Sequence, residues 1–61
     1  MLGHVRRLRA QAEQLRAELL EIDARTPKTA EDRYPALTRR YGIEYADALI
    51  RWARWAEREL A

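Results

Sequence analysis

The pattern of apolar residues predicts an all-α protein: a two-helix antiparallel hairpin, expected to dimerise into a four-helix arrangement. Three observations carry that expectation. Val5, Leu8, Ala12, Leu15, Leu19 and Ile22 step by three and four residues in strict alternation, the heptad seam of a helix packed on another helix. Thr26, Pro27 and Pro35 then punctuate the chain, ending one helix and allowing a second to begin. The stretch from Tyr41 to Ala56 carries more apolar surface than one partner helix covers, and the 61 residues include no cysteine with which to brace so small a core.

The first helix is expected over residues 3 to 25, roughly 33 Å long at 1.5 Å per residue. With Val5, Ala12 and Leu19 as the a positions, the flanking e and g positions hold Arg9, Gln11, Arg16, Glu18, Asp23 and Arg25, the mixed polar set that borders a packed seam. Leu2 and Leu20 lie off the seam and broaden it. No proline and no glycine interrupts the helix after Gly3, and Pro27 stops it by pushing Thr26 out of the helical region.

A connection over residues 26 to 32 follows. Thr29 is one candidate cap, its hydroxyl accepting from a free amide while Asp32 reaches back. Asp32 is the better one, because it brings Pro35 within the first turn of the next helix, where a missing amide costs little. The second helix then spans residues 33 to 60. Gly42 inside it costs about 1 kcal/mol relative to alanine unless a close helix crossing needs the space.

Three stripes run along this second helix. Tyr41, Tyr45, Ala48, Trp52 and Trp55 form one; Gly42, Ala46, Leu49, Ala53, Ala56 and Leu60 form a second, mostly small, beside it; Arg40, Glu44, Asp47, Arg51, Arg54 and Arg58 form a third that is wholly charged and expected to face water. The first helix is expected to cover the small stripe, making it the hairpin core together with the six residues of the heptad seam. The aromatic stripe is then left for a second copy of the chain. Within the charged stripe, Arg40 with Glu44, and Asp47 with Arg51 and Arg54, are expected to pair along the helix.

Charge and residue types narrow the function. Twelve basic residues are interleaved with ten acidic ones for a net charge of +2, so neither half is a basic nucleic-acid domain. Arg6, Arg7, Arg9, Arg39 and Arg40 are the candidates for phosphate contact, against a background of interleaved acids. His4 is the only histidine and has no companion ligand, so no metal site and no cofactor is expected. No nucleophile stands beside a base and no glycine-rich phosphate loop occurs, which excludes the common enzyme constellations. Glu44 and Asp47 lie one turn apart but on the charged face, where nothing shifts a carboxylate toward acid or base duty. No apolar run reaches the ~18 residues of a membrane span and no leader pattern opens the chain, so a cytoplasmic location is expected.

The run RYGIEYADALIRWARWAEREL, with LRAQAEQLRAELLEIDAR and KTAEDRYPAL before it, resembles the C-terminal domain of PadR-like bacterial transcriptional regulators, also called the virulence-activator alpha domain. The resemblance covers nearly the whole chain. Its most specific elements are Tyr41, Gly42 and Ile43 followed by Trp52 ten residues after the glycine. It implies a helical hairpin that makes the homodimer of a regulator whose DNA is read by a winged helix-turn-helix placed ahead of it. In some drug-sensing members an interface tryptophan stacks on planar ligands, a role only Trp52 or Trp55 is placed to inherit. The 61 residues include no winged helix, so the chain is expected to be either an excised C-terminal domain or a stand-alone relative.

Two functional classes follow. One is a homodimerisation module, its partner a second copy of itself and its DNA-binding domain on the same longer chain. The other is a small four-helix RNA-binding protein, which needs arginines gathered on one face with few acids. The outer stripe of the second helix mixes both signs, which favours the dimerisation module with no specific nucleic-acid contact of its own.

Overall fold

A computed structural model describes all 61 residues. Helix α1 spans Leu2–Arg25, a single 3₁₀ turn spans Ala30–Asp32, and helix α2 spans Arg33–Leu60. The two helices pack along each other as an antiparallel hairpin 47 Å long and only 14 × 12 Å across. It is the all-α hairpin that the periodicity predicts, with α1 starting one residue earlier than expected.

The stops between the helices have visible partners. Thr26 turns extended, with φ −92° and ψ 126°, as a residue before proline must. Its hydroxyl donates to the Ile22 carbonyl at 2.6 Å, and the Lys28 ammonium donates to the Asp23 carbonyl at 3.3 Å, so two of the orphan carbonyls at the α1 C-terminus are satisfied. Asp32 is the cap residue of α2, and Pro35 falls in its first turn. Neither expected side-chain cap forms, however: Thr29 and Asp32 both lack a cap hydrogen bond. The Asp32 carboxylate is occupied instead by the Arg39 guanidinium, nearly two turns further along α2.

The core is narrower than the stripes suggest, and turned. Val5 and Ala12 of α1 are buried against Ile43, Ala46, Ile50, Ala53 and Ala56 of α2. Ile43 and Ile50, which no stripe included, are thus core residues. Leu8, Leu19, Gly42 and Leu49 are half-buried, while Leu15, Ile22 and Leu60, expected inside, remain exposed. The physical reason is a rotation of α2 toward its charged side. Ile43, Ala46, Ile50, Ala53 and Glu57 keep the three-four rhythm, and centring that row on α1 brings acids and arginines of the two helices into pairing distance along one edge. The opposite edge, with Leu15 and Ile22, opens.

Small residues make the approach close. Ala46 and Ala53 are fully covered, and a methyl group built on Gly42 would stand 2.7 Å from the Leu19 Cδ1, placing Gly42 at the close crossing expected of it. No large side chain is completely buried anywhere. The hairpin exposes 4850 Å², against about 4100 Å² for a compact monomer of this mass.

Candidate functional site: the uncovered aromatic face

The rotation of α2 gives the hairpin two unlike edges. Along one runs a ladder of ion pairs. Arg9 of α1 binds both carboxylate oxygens of Glu57, while Arg6 lies 3.6 Å from the same group. Next, the Arg16 guanidinium donates to Asp47 at 2.6 Å. Nearest the turn, Arg39 grips Asp32 with two bonds of 3.1 and 2.7 Å and donates to Asp23 at 3.1 Å, where Lys28 also binds at 3.2 Å. The Asp32 and Arg39 side chains are only 11 and 12% exposed, so this clasp ties α1, the connection and α2 together.

The pairs hold the carboxylates in their charged form. The hydrogen bond from Arg9 keeps Glu57 below its ordinary pKa, and the bond from Arg39 does the same for Asp32. Asp23 is lowered by the bond from Lys28 and then by that from Arg39. In return, Arg9 and Arg39 are raised by their bonds to Glu57 and Asp32.

This ladder corrects two expectations. Asp47 pairs not with Arg51 and Arg54 but across the hairpin with Arg16, its side chain still 31% exposed, while Arg40 and Glu44 do pair along the helix at 3.0 Å. Arg9 and Arg39, two of the phosphate candidates, are engaged by acids. The heptad e positions Arg9, Arg16 and Asp23 were visible as a polar border. Their partners were not, because pairing depends on the rotation of α2, which the apolar spacing left undetermined by one residue.

The other side of α2 is bare. Tyr41 is 74% exposed, Tyr45 56%, Trp52 47% and Trp55 51%, with Ala48 exposed between them. The structure thus brings the five residues of the aromatic stripe onto one uncovered face. Tyr34 and Leu37, also exposed, extend it toward the turn. Their spacing of three and then four residues up to Tyr41 is a signal that sequence reasoning passed over. Leu15 and Ile22 stand on the α1 edge away from the ion pairs and widen the apolar surface.

Neither tryptophan lines a groove. The three surface depressions are bordered by residues such as Glu13, Arg16, Asp47 and Arg54, by the Lys28 to Arg33 connection, or by Leu20, Asp23 and Arg40, so no pocket of the single hairpin offers a planar ligand a place beside Trp52 or Trp55. His4 is exposed, and no three His, Cys, Asp or Glu side chains gather closely enough to hold a metal ion. Neither helix is long and apolar enough to cross a membrane.

The hairpin thus has one salt-bridged edge and one open aromatic face. The family described as virulence activator alpha C-term matches residues 1–61, and the chain belongs to that family. No curated protein and no solved structure matches it.

Proposed function

We propose that the chain is the homodimerisation module of a PadR-like bacterial transcriptional regulator, or of a stand-alone relative of one, acting in the cytoplasm. The uncovered aromatic face carries this reading. Four rings about half exposed, at ~150 to 250 Å² each, leave on the order of 400 to 500 Å² of aromatic surface in water. That is the upper range for the largest apolar patch of a monomer, before Tyr34, Leu37, Leu15 and Ile22 are counted. A stable interface takes about 800 Å² from each partner, and Tyr34, Leu37, Leu15 and Ile22 add to the rings toward it. The small core gives the chain a reason to need it, since a hairpin without a fully buried large side chain has little to hold it folded alone.

The reading assigns the chain no catalysis and no cofactor. Its partner is a second copy, and sequence-specific DNA contact belongs to a winged helix elsewhere in the regulator. Folding and association are then coupled, so diluting the protein tenfold lowers the melting temperature of its helical signal. A melting point that ignores concentration contradicts the reading.

A further inference from the structure

The aromatic stripe is flanked unequally. On one flank stand Glu44 and Arg51, seven residues and hence two turns apart; on the other stand Leu49 and Ala56. Glu44 is 59% exposed at its side chain and reaches only Arg40. Arg51 is exposed and is absent from every ion pair of the hairpin, whereas Arg9, Arg16, Arg39 and Arg40 are all engaged. From Tyr41 to Trp55 the stripe is symmetric in size: two large rings, the small Ala48, and two large rings, with Tyr41 and Trp55 each seven residues from the alanine, while Leu37 beyond Tyr41 has Glu59 as its mirror position.

Resting on the proposed dimer, we infer its geometry: the two α2 helices cross antiparallel at Ala48, where a two-fold axis sets Glu44 beside Arg51 of the partner subunit and Tyr41 beside the partner subunit's Trp55. An antiparallel two-fold brings each flank of the stripe against the same flank of the other copy. The charged flanks then meet, and Glu44 and the partner's Arg51 fall opposite within one residue, twice over by symmetry. The apolar flanks also meet, on the side where Leu15 and Ile22 of α1 are left half-open. A parallel two-fold would instead set the charged flank of each copy against the apolar flank of the other, leaving Arg51 with no acid opposite it and Glu44 with only Arg40 of its own helix, which is costly for Arg51. Ala48, the one small member of the stripe, lets the backbones approach at the axis while the rings pack outward on either side.

Charge reversal distinguishes the geometry, because two turns separate Glu44 from Arg51 and no pair can form between them within one chain. Glu44→Arg and Arg51→Glu should each weaken the homodimer about tenfold at low ionic strength, since two opposite-charge pairs become two like-charge pairs. Mixing the two variants should restore wild-type affinity in a heterodimer. Circular dichroism of each variant at high concentration separates loss of helix from loss of association. Cysteine scanning provides an independent check in a chain with none of its own. Ala48→Cys should oxidise to a linked dimer, whereas Tyr41→Cys should not, since its copies lie about 21 Å apart along the axis. A dimer in which Tyr41→Cys links to itself, or in which the reversed variants show no preference for each other, overturns the antiparallel crossing and leaves the dimerisation module standing. A wild-type chain that stays monomeric removes both.

Discussion

Gly42 shows how a single missing side chain sets the helix crossing. Leu19 occupies the space that a methyl group at Gly42 would need, with its Cδ1 2.7 Å from that position, so the free end of this half-buried side chain has to swing aside by most of an ångström to reach ordinary contact. Gly42→Ala gains up to ~1 kcal/mol of helix propensity and loses a comparable amount in displacing Leu19; chemical denaturation should find it near neutral. Gly42→Leu brings three further carbons into the crossing and should cost about 1 to 3 kcal/mol. A stabilised leucine variant would put Gly42 in solvent and contradict the packing. Trp52 tests the opposite face. Within one hairpin it is half exposed, and truncation of a surface residue changes stability by no more than about 0.5 kcal/mol. As an interface residue, Trp52→Ala should cost ~3 to 5 kcal/mol and make melting depend more steeply on concentration. An unchanged melting curve would place Trp52 outside any interface.

At the scale of the elements, periodicity read the two helices and their stops correctly, because α1 carries a strict heptad and Thr26 and Pro27 leave a helix no way onward. What it missed was the rotation of α2. That helix is apolar around much of its circumference, so the Gly42 and Ile43 rows both offer inner faces. The Ile43 row buries Ile43 and Ile50 and brings Arg9 to Glu57, Arg16 to Asp47 and Arg39 to Asp23 and Asp32. Leu15, Ile22 and Leu60 lose cover as a result. The pairs predict a pH dependence. Asp23, Asp32 and Glu57 have folded pKa values below their ordinary 3.8, 3.8 and 4.5, so the stability they contribute is fully present above that range and is lost as pH falls through the depressed values. The arginines stay charged throughout. Thermal melts should therefore change little between pH 7 and 5 on account of these groups and fall on acidification below about pH 4. In Arg39→Gln the acid-induced drop should be smaller, because Asp32 and Asp23 lose the partner that lowers them. An undiminished drop would mean that the clasp does not contribute to acid stability.

The molecule as a whole is an elongated hairpin with a charged edge and an aromatic face. The face was legible in the sequence, since Tyr41, Tyr45, Ala48, Trp52 and Trp55 share one side of any helix built from these residues. Its extension through Tyr34 and Leu37 was hidden behind Pro35, which drew attention to the helix start rather than to the rhythm continuing across it. The ion-pair ladder also bears on nucleic acid. With Arg9, Arg16 and Arg39 committed to acids, the unpaired cations of the charged stripe, Arg51, Arg54 and Arg58, stand among Glu57 and Glu59, so phosphate meets both signs there. Titration of duplex DNA and of stem-loop RNA near physiological salt should show no submicromolar binding; tight binding abolished by Arg51→Ala with Arg54→Ala would favour the RNA-binding class. The aromatic face exposed by one hairpin is the ground for a second, and sedimentation equilibrium of the wild-type chain at micromolar concentration measures that directly. The expected result is a mass of twice 7.2 kDa with dissociation on dilution. A well-folded species at the single-chain mass across the whole concentration range would contradict it.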